Sequence, residues 1–150
     1  MQAVIYLSQN RGFESELDIQ DMISFAQEQN AKHYITGYLY FANNMFVQYF
    51  EGKKEQVDAL WTNISKDPRH EVLFSSRSEI NERRFNTWYM RDWTSSTRVE
   101  SFLNEYLSEQ LQYLSSNQSS FIDTIFPKES KVWKIVDNIG KATNPLEPDL

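Results

Sequence analysis

The chain of 150 residues contains no cysteine. That absence excludes disulfides, thiolate catalysis and cysteine-based zinc sites. Histidine occurs only as His33 and His70, too few for a histidine-rich metal centre. The four glycines (Gly12, Gly37, Gly52 and Gly140) form neither a G-x-G-x-x-G fingerprint nor a phosphate-binding P-loop, and no G-x-S-x-G elbow is present. No apolar run approaches the roughly 18 residues that a membrane helix needs. The start, Met1-Gln2-Ala3-Val4, has no basic n-region, so a cytoplasmic protein without leader or membrane anchor is expected. Basic residues are in the minority as well: 15 Lys and Arg stand against 21 Asp and Glu, a net charge of −6. The deficit is even, with ten basic against thirteen acidic residues in 1–93 and five against eight in 94–150. Nucleic-acid affinity rests on clustered Lys and Arg, so no direct nucleic-acid partner is expected.

Aromatic residues, in contrast, are plentiful, with 4 Trp, 8 Tyr and 10 Phe. They can fill a core, wall a flat ligand or line an interface. With 40% hydrophobic and 24% charged residues the composition is that of an ordinary globular domain.

Hydrophobic periodicity organises the first 93 residues. Residues 2–9 are β-branched and aromatic and run into Asn10-Arg11-Gly12, a strand followed by a turn. Residues 16–32 switch to helical spacing, with Ile19, Met22, Ile23 and Ala26 on one stripe and Ser15 and Asp18 placed to cap its start. Residues 34–41 and 45–51 are strand-like on either side of an Asn-rich gap, which predicts a hairpin. Val57, Leu60, Trp61 and Ile64 place a second helix over 53–66, stopped by Asp67-Pro68. Strands are predicted again over 71–80 and 85–93. The order β-α-β-β-α-β-β predicts an α+β fold, a ferredoxin-like sheet with two helices on one face. After the cluster Thr94-Ser95-Ser96-Thr97 the pattern becomes helical, with stripes from Val99 to Leu114 and from Val132 to Ile139. We therefore expect a domain over 1–93 and a helical extension over 94–150, packed on or beside the sheet.

Two polar residues break the pattern. Asn30 continues the buried stripe of the first helix, and Gln48 lies between Phe46 and Phe50 at period two. An unpartnered buried amide costs about 1–3 kcal/mol, so each needs a buried hydrogen-bonding partner. Either could be a satisfied core amide. Tyr6 shares its strand face with Val4 and Ser8, however, and amides both donate and accept, which suits the edge of a heteroaromatic ring. The pair Glu14 and Glu16 looks like solvated surface, and Arg83-Arg84, with Phe85 next, looks like a surface charge pair, anion binding being the alternative.

These residues carry a resemblance. Ile5-Tyr6-Leu7-Ser8, Gln29-Asn30-Ala31, Ile35-Thr36-Gly37, Phe46-Val47-Gln48-Tyr49-Phe50-Glu51-Gly52, Lys66-Asp67-Pro68-Arg69-His70 and Arg83-Arg84-Phe85 with Trp88-Tyr89-Met90 occur in order. Across residues 1–93 the chain resembles the BLUF family, blue-light sensors using flavin, and in size its short stand-alone bacterial members. The resemblance implies a noncovalent flavin, usually FAD with FMN as an option, between the two helices and against the sheet. It implies that Tyr6 donates an electron and a proton, and that Gln48 switches hydrogen bonds between Tyr6 and the ring. Asn30 would hold a ring carbonyl edge, and Asp67, Arg69 and His70 would lie near the ribityl and ring region. Trp88 and Met90 would relay the signal from the last strand, Met90 also contacting the flavin. Three positions depart from common family residues: Ala26 for Ser, Gln29 for Asn or His, and Asn63 for Arg.

The expected function is blue-light reception without catalysis, acting on a downstream protein, with the tail covering the open sheet face and building a homo-oligomer or partner surface. The alternatives are a flavin-binding redox or temperature sensor, or an RNA-binding ferredoxin-like module.

Overall fold

The computed structural model describes residues 1–42 and 44–85, residues 91–92, and positions 133, 136 and 137. Strand β1 (Gln2–Asn10) leads into helix α1 (Glu16–Lys32), then strands β2 (Thr36–Ala42) and β3 (Met45–Gly52). Helix α2 (Lys54–Lys66), strand β4 (His70–Glu79) and the short β5 (Arg91–Asp92) follow. The sheet order is β4-β1-β3-β2-β5, with β2–β5 parallel and the other neighbours antiparallel. This is the ferredoxin-like α+β arrangement expected from the periodicity. The expected domain boundary after residue 93, the stripe from Val99 to Leu114, and both Trp88 and Met90 lie outside the described residues.

Local chemistry accounts for the helix limits. Ser15 caps α1: its hydroxyl accepts the Asp18 N–H at 3.1 Å, and the Asp18 carboxylate accepts the Ser15 N–H at 3.1 Å. At the other end Ile35 N–H donates to the Asn30 carbonyl (2.9 Å) and Tyr34 N–H to the Ala31 carbonyl (3.2 Å). That is a Schellman closure, and it holds Tyr34 at φ 55°, the left-handed conformation usually given to glycine. The strand predicted to begin at 34 therefore begins at Thr36. Helix α2 ends where Pro68 disfavours helical geometry at Asp67. Of the strand predicted over 85–93, Phe85 is buried but outside any strand, and Arg91–Asp92 form β5.

Alternation gives the sheet two faces. Val4, Tyr6 and Phe50 pack under Val57 of α2, and Phe46 and Leu39 under Ile19 and Ile23 of α1. Fully burying a valine such as Val57 contributes about 1.5–3 kcal/mol. The opposite face gathers Ala3, Ile5, Leu7, Val47, Tyr49, Tyr38 and Phe85. Val136, fully buried, and Trp133 join that cluster, so these two positions of the C-terminal part pack on the face away from the helices. Among the described residues no helix is long and apolar enough to cross a membrane.

Candidate functional site

Strands β1 and β3 pair with Tyr6 directly opposite Gln48. Both side chains project to the helix face, and both are about 4% exposed. The Tyr6 hydroxyl donates to Gln48 Oε1 at 2.5 Å. Gln48 thus has the buried partner that its position demands, and that partner is the tyrosine on the matching face. Burial, reinforced by the Asp67 carboxylate, pushes the Tyr6 phenol well above its ordinary range, so the proton stays on the phenol. Trp61 and His70 flank the phenol ring, with centroids at 5.6 and 5.8 Å.

Asn30 is placed by the closing turn of α1, where its own carbonyl anchors the Schellman bond. It is 4% exposed, yet among the described residues its Nδ2 has no hydrogen-bond acceptor. The buried partner that its position demands is therefore not among the described residues at this atom. Either the chain carries the cost or a ligand supplies an acceptor.

The turn after α2 contributes a second polar group. Asp67 accepts from Arg69 through its N–H (3.0 Å), Nε (2.9 Å) and Nη2 (2.6 Å). These bonds hold the Asp67 carboxyl below its usual range and raise the Arg69 guanidinium above its own. The Arg69 guanidinium lies 4.8 Å from the centre of the Phe13 ring. His70 spans β1 and α2: Nε2 is 2.8 Å from the Ile64 carbonyl and Nδ1 is 2.8 Å from Ser8 Oγ. A carbonyl only accepts, so Nε2 carries the proton and donates.

Between the two helices and the sheet these groups line one cavity of about 370 Å³. Tyr6, Asn30, Gln48, Asp67, Arg69 and His70 all reach it, as do Ala26, Gln29 and Asn63. Apolar walls come from Phe13, Met22, Leu39, Phe46, Leu60 and Ile64. Apolar walls with a few convergent polar groups are the make-up of a cofactor site. A flat ring with carbonyl acceptors fits this one, since Asn30 Nδ2 lacks only an acceptor. Sequence reasoning did not pick out Phe25, which is 64% exposed and lies at the mouth. Its signal is a large aromatic placed off the buried stripe, next to Ala26.

Comparison with known proteins decides what kind of ring this is. Residues 1–91 match the family described as BLUF, sensors of blue-light using FAD. The chain belongs to the BLUF family. Its cofactor is accordingly FAD, the flavin by which the family is described. The chain is 33% identical over 125 residues to photoactivated adenylate cyclase subunit beta of Euglena longa, covering 81% of this chain and 14% of that protein. It is 39% identical over 67 residues to the blue light- and temperature-regulated antirepressor BluF of Escherichia coli (strain K12), covering 45% and 17%. The chain therefore spans less than a fifth of the length of either relative. The BLUF protein BlrB, in its dark state, has the same fold: TM-score 0.69 at 24% identity, over 94% of this chain and 96% of that one.

The arginine pair is a correction. Arg83 and Arg84 are half-buried rather than a surface charge pair. Arg83 donates to Thr36 Oγ1 (2.8 Å) and the Tyr34 carbonyl (2.7 Å), and Arg84 pairs with Asp137.

Proposed function

We propose that this BLUF chain is a blue-light photoreceptor that signals by exchanging hydrogen bonds among Tyr6, Gln48 and FAD, and acts through contact with a downstream protein. The 2.5 Å bond from Tyr6 to Gln48 in the cavity wall carries this reading. FAD, when bound, absorbs blue light and supplies a strong oxidant. Tyr6 would supply the electron that this oxidant takes, and its phenolic proton would leave along the bond to Gln48 Oε1. Gln48 then rotates or tautomerises, placing a donor where an acceptor stood at nearly unchanged volume. A phenol both donates and accepts, so Tyr6 pairs with either arrangement of the amide. Return of electron and proton to Tyr6 restores the resting bond.

Asn30 Nδ2 would hold a flavin carbonyl, while Asp67, Arg69 and His70 bound the cavity on the α2 side. Trp88 and Met90 would pass the rearrangement to the last strand, Met90 also touching the flavin. The absence of cysteine suits a cycle without a covalent adduct. The effector is a separate or attached protein, reached through the 94–150 segment or through a homo-oligomer. The chain itself is the sensor and not a catalyst, and it works in the cytoplasm.

Absorption spectra in the dark and after blue light test the reading. The expected result is a flavin spectrum that moves slightly to the red and relaxes thermally. A flavin that never shifts would favour redox or temperature sensing, and a chain that takes up no flavin would overturn the assignment. Gln48→Leu should keep flavin and lose the shift; a retained shift would remove Gln48 as the switch. Tyr6→Phe should bind flavin without a productive cycle, and normal cycling would exclude Tyr6 as donor.

A further inference from the structure

The sheet face away from the cavity holds a completely buried carboxylate. Glu51 has no exposed surface, and among the described residues it is the one buried side chain of formal charge. Both of its oxygens are doubly occupied. Oε1 accepts from Thr36 Oγ1 (3.1 Å) and the Phe85 N–H (2.8 Å). Oε2 accepts from the Tyr49 hydroxyl (2.5 Å) and the Arg84 N–H (3.0 Å).

Two arginines stand one step behind. Arg83 Nη1 donates to Thr36 Oγ1 at 2.8 Å, and Arg84 Nη1 donates to the Tyr49 hydroxyl at 3.2 Å. Each hydroxyl therefore accepts from a guanidinium and donates to the carboxylate. Arg84 continues outward, pairing through Nε with Asp137 and lying 5.3 Å from the centre of the Trp133 ring. One buried acid thus gathers β2, β3, the segment 83–85 and two positions of the C-terminal part. None of Thr36, Tyr49, Glu51, Arg84 and Phe85 lines the cavity.

Strand β3 places this hub three residues from Gln48. Gln48 faces the cavity, while Tyr49, its neighbour in the chain, lies on the opposite face with Glu51. A carboxylate whose oxygens each accept two donors cannot follow a displaced donor without loosening another.

We infer that Glu51 is the positioning residue that couples the cavity face of β3 to the C-terminal part of the chain. The inference rests on the photoreceptor reading of Gln48. A shift of β3 at Gln48 moves Tyr49 against Glu51. Glu51 transmits the shift through the Arg84 and Phe85 amides to the segment that runs into 86–90, and through Arg84 to Asp137 and Trp133. Loss of the carboxylate should leave the light-driven event in place and disconnect its consequence.

Hydrogen exchange of the flavin-loaded full chain, followed by mass spectrometry in darkness and under blue light, tests this. In the unmodified protein, light should change exchange in peptides spanning 132–140. Glu51→Gln puts an amide donor opposite one set of donors; it should keep flavin and the red shift but lose the light-minus-dark difference there. Tyr49→Phe removes one of the four donors and should diminish that difference; if Glu51→Gln does not fold, this variant decides. A purely structural role would alter exchange equally in dark and light. A full light-dependent difference in these variants overturns the inference, as does an unmodified protein that shifts its spectrum without any change at 132–140. An unmodified protein with no spectral shift overturns the photoreceptor reading instead.

Discussion

Asn30 illustrates what a single residue records about a ligand. Its backbone carbonyl closes α1, while its side-chain nitrogen faces a cavity and finds no acceptor among the described residues. Leaving a buried donor unpaired costs about 1–3 kcal/mol. Removing the amide should therefore leave the flavin-free protein no less stable and weaken flavin binding. We expect Asn30→Ala to lose about tenfold in FAD affinity, equivalent to about 1.4 kcal/mol, by fluorescence titration. Unchanged affinity would take Asn30 out of the site. Both odd amides were legible in the sequence as polar residues at apolar positions. The Tyr6 partner of Gln48 was legible too, because the two share a period-two face. Asn30's missing partner was not, because hydrophobic periodicity marks burial and says nothing of whether a donor is satisfied.

At the scale of elements, the close approach of β2 to β3 depends on a glycine. Gly37 has φ +153°, and a Cβ there would lie 1.9 Å from the Tyr49 carbonyl oxygen. The backbone conformation alone costs a side-chain-bearing residue about 1–3 kcal/mol, and the overlap with the β3 carbonyl adds to it. Gly37→Ala should accordingly lower the denaturation midpoint sharply and loosen the strand that carries Gln48. A midpoint within error of the unmodified protein would show that β2 can retreat. Sequence reading recovered α1 with its capping box because the signals are local. It misplaced the start of β2 by two residues, since nothing local marks Tyr34 as left-handed where glycine is usual. The register shift between β1 and β4 at Leu7 and Ser8 left no trace in the sequence either. The arginine pair was misread because its partners, Thr36, Tyr49 and Asp137, are remote in sequence.

For the whole molecule, each face of the sheet buries a tyrosine that keeps its proton. Burial and the Asp67 charge raise Tyr6, and burial with the Glu51 charge raises Tyr49. An unfolded tyrosine ionises near pH 10, whereas these two stay neutral in the folded protein. Their contribution to stability is thus complete below about pH 10 and is lost as pH rises toward their raised values, because the unfolded chain releases protons that the fold retains. Alkaline titration of the phenolate band should show these two of the eight tyrosines ionising only with unfolding. Ordinary titration of all eight in the folded state would contradict the burial of both. Between those faces runs β3, the middle strand, with a full ladder on each side. Its pairing with β1 and β2 ties any displacement of its backbone to both neighbours. One backbone carries Gln48 on the cavity face and Tyr49 on the other, so the two sides of the sheet share a single lever.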